Sequence, residues 1–156
     1  MAHTTIEYMI LIPVLILQIF LLPCVASAFT NSWSTSSQTI ALQENNSNLS
    51  SAIQQLYYFL NSPTVSSGTV TSNLGVSPYV GNLAYVGNAS VVSSSGSSKV
   101  LKLTLTLVGS HTSTSTLVTL GSNIQWLNSS FTSNSAKACI SAYKDSNSTI
   151  WLSFRT

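Results

Sequence analysis

The stretch Ile6–Phe29, IEYMILIPVLILQIFLLPCVASAF, decides how the chain must be organised. From Tyr8 to Phe29 only Gln18 and Ser27 are clearly polar, and no residue is charged. Roughly twenty apolar residues rising ~1.5 Å each cross the ~30 Å hydrocarbon layer of a bilayer, so as a helix the segment requires lipid or an equally dry protein core. Pro13 and Pro23 each remove a backbone donor and crowd the carbonyl four residues earlier, so a bend or a locally loosened stretch is expected near each. A removable signal peptide is the competing reading. Ala26, Ser27 and Ala28 fit a cleavage site, but the leading MAHTT carries no Lys or Arg, and the apolar run exceeds the usual ~7–15 residues.

Beyond the rod the chain becomes water-compatible. NSWSTSS, residues 31–37, is polar, with Trp33 where an interfacial aromatic residue would sit. Across residues 38–60, Leu49, Ile53, Leu56, Tyr57 and Leu60 keep helical spacing, with Asn, Gln and Ser assigned to the opposite face. Asn61, Ser62 and Pro63 then stop the helix. Residues 1–62 are thus expected to form one long, bent helix with an apolar half, 6–29, and an amphipathic half, 38–60. Ile53, Leu56 and Leu60 are expected to help fill the core of the domain C-terminal to the helix.

After Pro63 the hydrophobic period changes to two. Leu101, Leu103, Leu105 and Leu107 alternate with Lys102, Thr104 and Thr106, and Ile150, Leu152 and Phe154 alternate with Trp151, Ser153 and Arg155. Further strands are expected at 64–72, 79–86, 90–92, 115–120, 124–127 and 136–143, separated by Gly, Asn and Ser turns. The fold class read from the chain is α+β: a long apolar N-terminal helix followed by an Ig-like antiparallel β-sandwich over residues 63–156.

Composition narrows the function classes. Charged residues make up 5 % of the 156 residues, against a usual ~25 %, so solubility must come from hydroxyls, amides or attached sugar. The net charge of +2 forms no basic stripe, and nothing points to a nucleic-acid partner. Glu7, Glu44 and Asp145 are the only carboxylates, so acid has little to protonate and an acid-tolerant extracellular body is expected. Cys24 and Cys139, one in the rod and one in the body, are expected as unpaired thiols packed like small apolar residues.

No catalytic or metal constellation emerges. His3 and His111 are the only histidines, and His111 reads as a loop residue with no second ligand near it in sequence. The many serines have no partnered base, and no phosphate-binding glycine loop is present. No enzyme activity, metal or cofactor is therefore expected. The motif that does recur is the sequon Asn-x-Ser/Thr, at Asn45, Asn48, Asn88, Asn128 and Asn147, all after the rod and all expected to be exposed, so N-linked glycans are anticipated. Glu7, at the start of the rod, either complements the helix dipole or, once buried, pairs with a group such as a neighbouring chain's α-amino group or is protonated.

TTIEYMILIPVLILQIFLLP with an acidic residue near its start, followed by a Ser/Thr-rich, sequon-bearing β domain, resembles an archaeal type IV pilin. The resemblance implies a homopolymer of identical subunits, stored in the cytoplasmic membrane and assembled by pilus machinery into an extracellular filament for surface or cell adhesion. It implies a prepilin peptidase that removes a short basic leader; none precedes this apolar run, so Met1 is expected at or near the processed end. The helix core would be built from Glu7, Tyr8, Ile10, Pro13, Leu17, Phe20, Leu21 and Pro23. In bacterial relatives the acidic residue is fifth in the mature chain, which Glu7 matches if the chain begins at His3. An archaellin-like motility filament is a near alternative. A single-pass membrane-anchored surface protein with an Ig-like domain is a more distant one.

Overall fold

The structure, a computed structural model, describes the backbone of residues 2–95 and 97–156 and the side chains of residues 9, 11–92 and 97–156. The chain is α+β. Among the described residues, helix α1 (Ala2–Asn61) precedes eight strands: β1 (Gly68–Asn73), β2 (Tyr85–Ser95), β3 (Ser98–Leu107), β4 (Ser113–Gly121), β5 (Ile124–Trp126), β6 (Ser130–Thr132), β7 (Cys139–Lys144) and β8 (Ile150–Arg155). Contacts divide it into two units, Met1–Ser37 and Gln38–Thr156, the boundary falling within α1.

In the first unit the helix runs through Pro13 and Pro23 without interruption. Every described side chain here is exposed. In the polar segment the hydroxyls bond back to the helix rather than out to solvent: Thr30 donates to the Ala26 carbonyl and Thr35 to the Asn31 carbonyl, each at 2.9 Å.

The second unit is a β-sandwich with the amphipathic end of α1 packed into it. One sheet has the order β1-β7-β8-β5 and the other β4-β3-β2-β6. All pairings are antiparallel except β5 with β8, which is parallel, so the antiparallel expectation needs that one exception. The expected alternation holds: Leu101, Leu103, Leu105 and Leu107 of β3 and Ile150, Leu152 and Phe154 of β8 point into the core. Edge-to-face rings tie the two sheets together, Phe131 of β6 lying 4.8 Å from Phe154 of β8, which lies 5.0 Å from Trp126. Gly87 sits opposite Phe131 in the register, and a Cβ there would collide with the Phe131 ring and with Leu105.

Several strand expectations are corrected. The strands expected at 79–86 and 90–92 are parts of one strand, β2, which begins only at Tyr85 and carries a bulge between Val91 and Ser93. Residues 79–84 turn instead, because Pro78 lacks a donor, Gly81 takes a left-handed φ of 61°, and Val80 and Leu83 bond only each other. The strand expected at 64–72 starts at Gly68, after a turn at Pro63, and that expected at 136–143 starts at Cys139. Short β6 has no counterpart among the expected strands.

The helix face is also wider and more polar than its apolar spacing indicates. Leu42, Leu49, Ile53, Leu56, Tyr57 and Leu60 are buried, but so are Asn45, Asn46 and Ser50, which the spacing assigns to the solvent side. These polar groups lock the helix to loops and to the β4 edge. Asn45 Oδ1 accepts from the Ser77 N–H at 3.1 Å, Asn46 Nδ2 donates to the Thr114 carbonyl at 3.4 Å, and the Tyr57 hydroxyl donates to Asn123 Oδ1 at 3.2 Å. At the helix C-terminus the buried Lys144 ammonium donates to the Val65 carbonyl at 2.6 Å and the Ser62 carbonyl at 3.2 Å, a cation placed where the helix dipole favours one.

Tyr85 anchors the 74–84 loop. Its hydroxyl donates to the Ser77 carbonyl at 2.6 Å, and its N–H donates to Ser133 Oγ, which in turn donates to the Pro78 carbonyl. Burial pushes the Tyr85 hydroxyl up to about 12 from its ordinary 10. The unfolded chain ionises this group near pH ~10, so its contribution to stability is constant below that pH, and stability then falls between about pH 10 and 12. A thermal melt series across that window should show the decline, and Tyr85→Phe should flatten it.

Candidate assembly surface

The candidate functional surface is the rod, built residue by residue from apolar side chains on a regular helix. Among the described residues, thirteen large apolar side chains between Met9 and Phe29 are exposed, including Phe20 at 71 % and Phe29 at 73 %. None of the most apolar stretch of the helix is buried, and by length and composition the helix could cross a membrane. Complete burial of such a side chain is worth ~1.5–3 kcal/mol. Leaving all of them in water would forfeit tens of kcal/mol, beyond the ~5–15 kcal/mol that holds a domain together. Single proteins rarely keep so large a contiguous apolar surface uncovered.

Of the residues assigned to a helix core, Pro13, Leu17, Phe20, Leu21 and Pro23 all lie on this surface and are exposed. Pro13, Leu17, Phe20 and Leu21 share one side of the helix through their i, i+4, i+7 and i+8 spacing. Neighbouring sides are equally apolar, so the rod offers no polar back that could face water. The side chains of Glu7, Tyr8 and Ile10 lie outside the described residues. Cys24 is a free thiol, exposed here rather than packed as expected, and Cys139 is free and half-buried. Trp33, 78 % exposed, follows the apolar run in the polar segment.

The sequon asparagines divide. Asn48, Asn88, Asn128 and Asn147 are exposed. Asn45 is not: it is 7 % exposed and its carbonyl oxygen holds the Ser77 N–H, so the expectation of an accessible Asn45 is corrected. The helical register carries the signal, since position 45 lies on the face defined by Leu42, Leu49 and Ile53. Asn88 and Asn128 line one open polar depression of about 500 Å³ with Lys102 and Thr104.

Among the described residues no group of three or more His, Cys, Asp or Glu side chains could hold a metal. His111 is exposed in the β3–β4 connection. Comparison with known proteins finds no family, no curated relative and no solved structure that matches this chain.

Proposed function

We propose that the chain is the structural subunit of an extracellular filament of the archaeal type IV pilus kind, polymerised through its N-terminal helix. The observation that carries this reading is the rod from Met9 to Phe29, apolar and exposed on every side, joined to a body with a complete core of its own. Before assembly the rod rests in the cytoplasmic membrane, whose lipid satisfies it. In the filament the rods of many copies cover one another, and the sandwiches form the outer sheath, with exposed Asn48, Asn88, Asn128 and Asn147 available for sugar.

Lipid is as apolar as leucine, so the hydrophobic effect alone does not favour leaving the bilayer; close van der Waals packing between rods must. Transfer through water is closed to the subunit by the same surface, hence the need for a membrane-bound assembly machine and, in keeping with the resemblance, a prepilin peptidase. Adhesion to a cell or surface is the role such a filament would serve. Electron microscopy of material shed from producing cells tests the proposal: helical fibres made of this chain are expected, and vesicle-bound monomers would refute it in favour of a membrane-anchored surface protein.

A further inference from the structure

The outer face of the β1-β7-β8-β5 sheet carries a groove of about 360 Å³, at the small end of the ~300–1,000 Å³ usual for ligand sites. Strand alternation builds it. With Ile140, Ala142, Leu152 and Phe154 directed to the core, the intervening residues of β7 and β8 face outward. Tyr143 and Trp151 are directly cross-strand and form an aromatic wall. Ser141 and Ser153, the next cross-strand pair, form a hydroxyl floor in which Ser141 is only 4 % exposed. Arg155, the only arginine of the chain, stands at the other end, exposed and without an ion pair among the described residues.

We infer that this groove binds an acidic pyranose, a sugar ring bearing a carboxylate or sulfate. One face of a pyranose is a sheet of C–H groups and its rim is hydroxyl. The Trp151 and Tyr143 rings take the apolar face, Ser141 and Ser153 exchange hydrogen bonds with the rim, and the Arg155 guanidinium forks the anionic group in a charge-assisted pair. No carboxylate lines the groove to oppose that anion. A purely apolar peptide side chain fits the chemistry less well, because it would strip the floor hydroxyls of water without replacing the lost hydrogen bonds. Nucleic acid fits less well too, since it requires several cations and this groove holds one. The site lies wholly on the sandwich and stands or falls independently of filament formation, although copies repeated along a filament would add avidity.

The test is titration calorimetry on the full chain in detergent micelles, with tetragalacturonate, maltotetraose and inorganic sulfate as probes. Saturable tetragalacturonate binding is expected, tighter than that of neutral maltotetraose and weakened about tenfold or more by Trp151→Ala and about tenfold by Arg155→Gln. Tyr143→Ala, at an exposed position, should weaken it too and guards against misreading a folding defect at Trp151; near-ultraviolet circular dichroism checks that each variant is folded. Absence of saturable tetragalacturonate binding by the unaltered chain overturns the inference. So does binding that survives Trp151→Ala and Tyr143→Ala, or sulfate binding as tight as that of the sugar, which would mark a simple anion contact.

Discussion

Leu17→Asp is expected to abolish filaments while leaving the sandwich folded. Leu17 lies near the middle of the apolar run, 59 % exposed in the single chain and belonging to the unit Met1–Ser37. An aspartate at the centre of a membrane helix costs ~2.5–3.5 kcal/mol on insertion scales, which the surrounding Leu, Ile and Val residues can offset. In a dry bundle of helices the same carboxylate has no cation to meet and the cost rises to several kcal/mol, repeated in every copy. The subunit should therefore accumulate in the membrane fraction, with its sandwich melting temperature unchanged and no fibres by electron microscopy. Leu17→Ile, which keeps volume and polarity, should assemble nearly normally. A normal yield of fibres from Leu17→Asp would remove the rod from the filament core.

The second large effect concerns the other end of the same helix. Ile53 is fully buried in the core shared by α1 and both sheets. Ile53→Ala should lower the unfolding free energy of the sandwich by ~2–5 kcal/mol, from lost burial plus the cavity left behind. Each kcal/mol moves the melting temperature of a domain of about this size by several degrees, so a loss of roughly ten degrees or more is expected in detergent-solubilised full-length protein. Ser51→Ala, exposed and on the same turn, should change little. An unaltered melt for Ile53→Ala would mean that the helix is not part of the cooperative core.

The size of that effect reflects where the helix lies within its unit. The two sheets approach each other where β6 meets β8 and β2 meets β5. At the β4 edge, Asn46 bonds the Thr114 carbonyl, and the Tyr57 hydroxyl reaches Asn123 just beyond the end of β4. The helix therefore covers an edge strand whose sequence, STSTLVTLG, contains no Lys or Pro to protect it. Its removal would expose both the strand edge and the leucines behind it.

Much of this architecture was legible in order of sequence. The rod, its lack of charge, the helix stop at Asn61 to Pro63 and the alternation of β3 and β8 are local patterns, and each is written into a contiguous run of residues. β6 was illegible because three residues of ordinary composition become a strand only by pairing with Val86–Asn88. Its Phe131 is held in the core by the space Gly87 leaves and by Phe154, two partners distant in sequence.

The sequence by itself determined that one segment must be covered by lipid or protein and that the remainder is a two-period β body, because periodicity and apolarity are properties of neighbouring residues. Only the tertiary structure decided that Asn45 is a buried acceptor rather than an accessible sequon, that Asn46 and Ser50 belong to the core face, that β5 runs parallel to β8, and that Tyr143, Trp151 and Arg155 share one groove. Those facts depend on which distant strand or loop arrives opposite each side chain, and that is settled by the packing of two sheets and a helix around one core rather than by any local run.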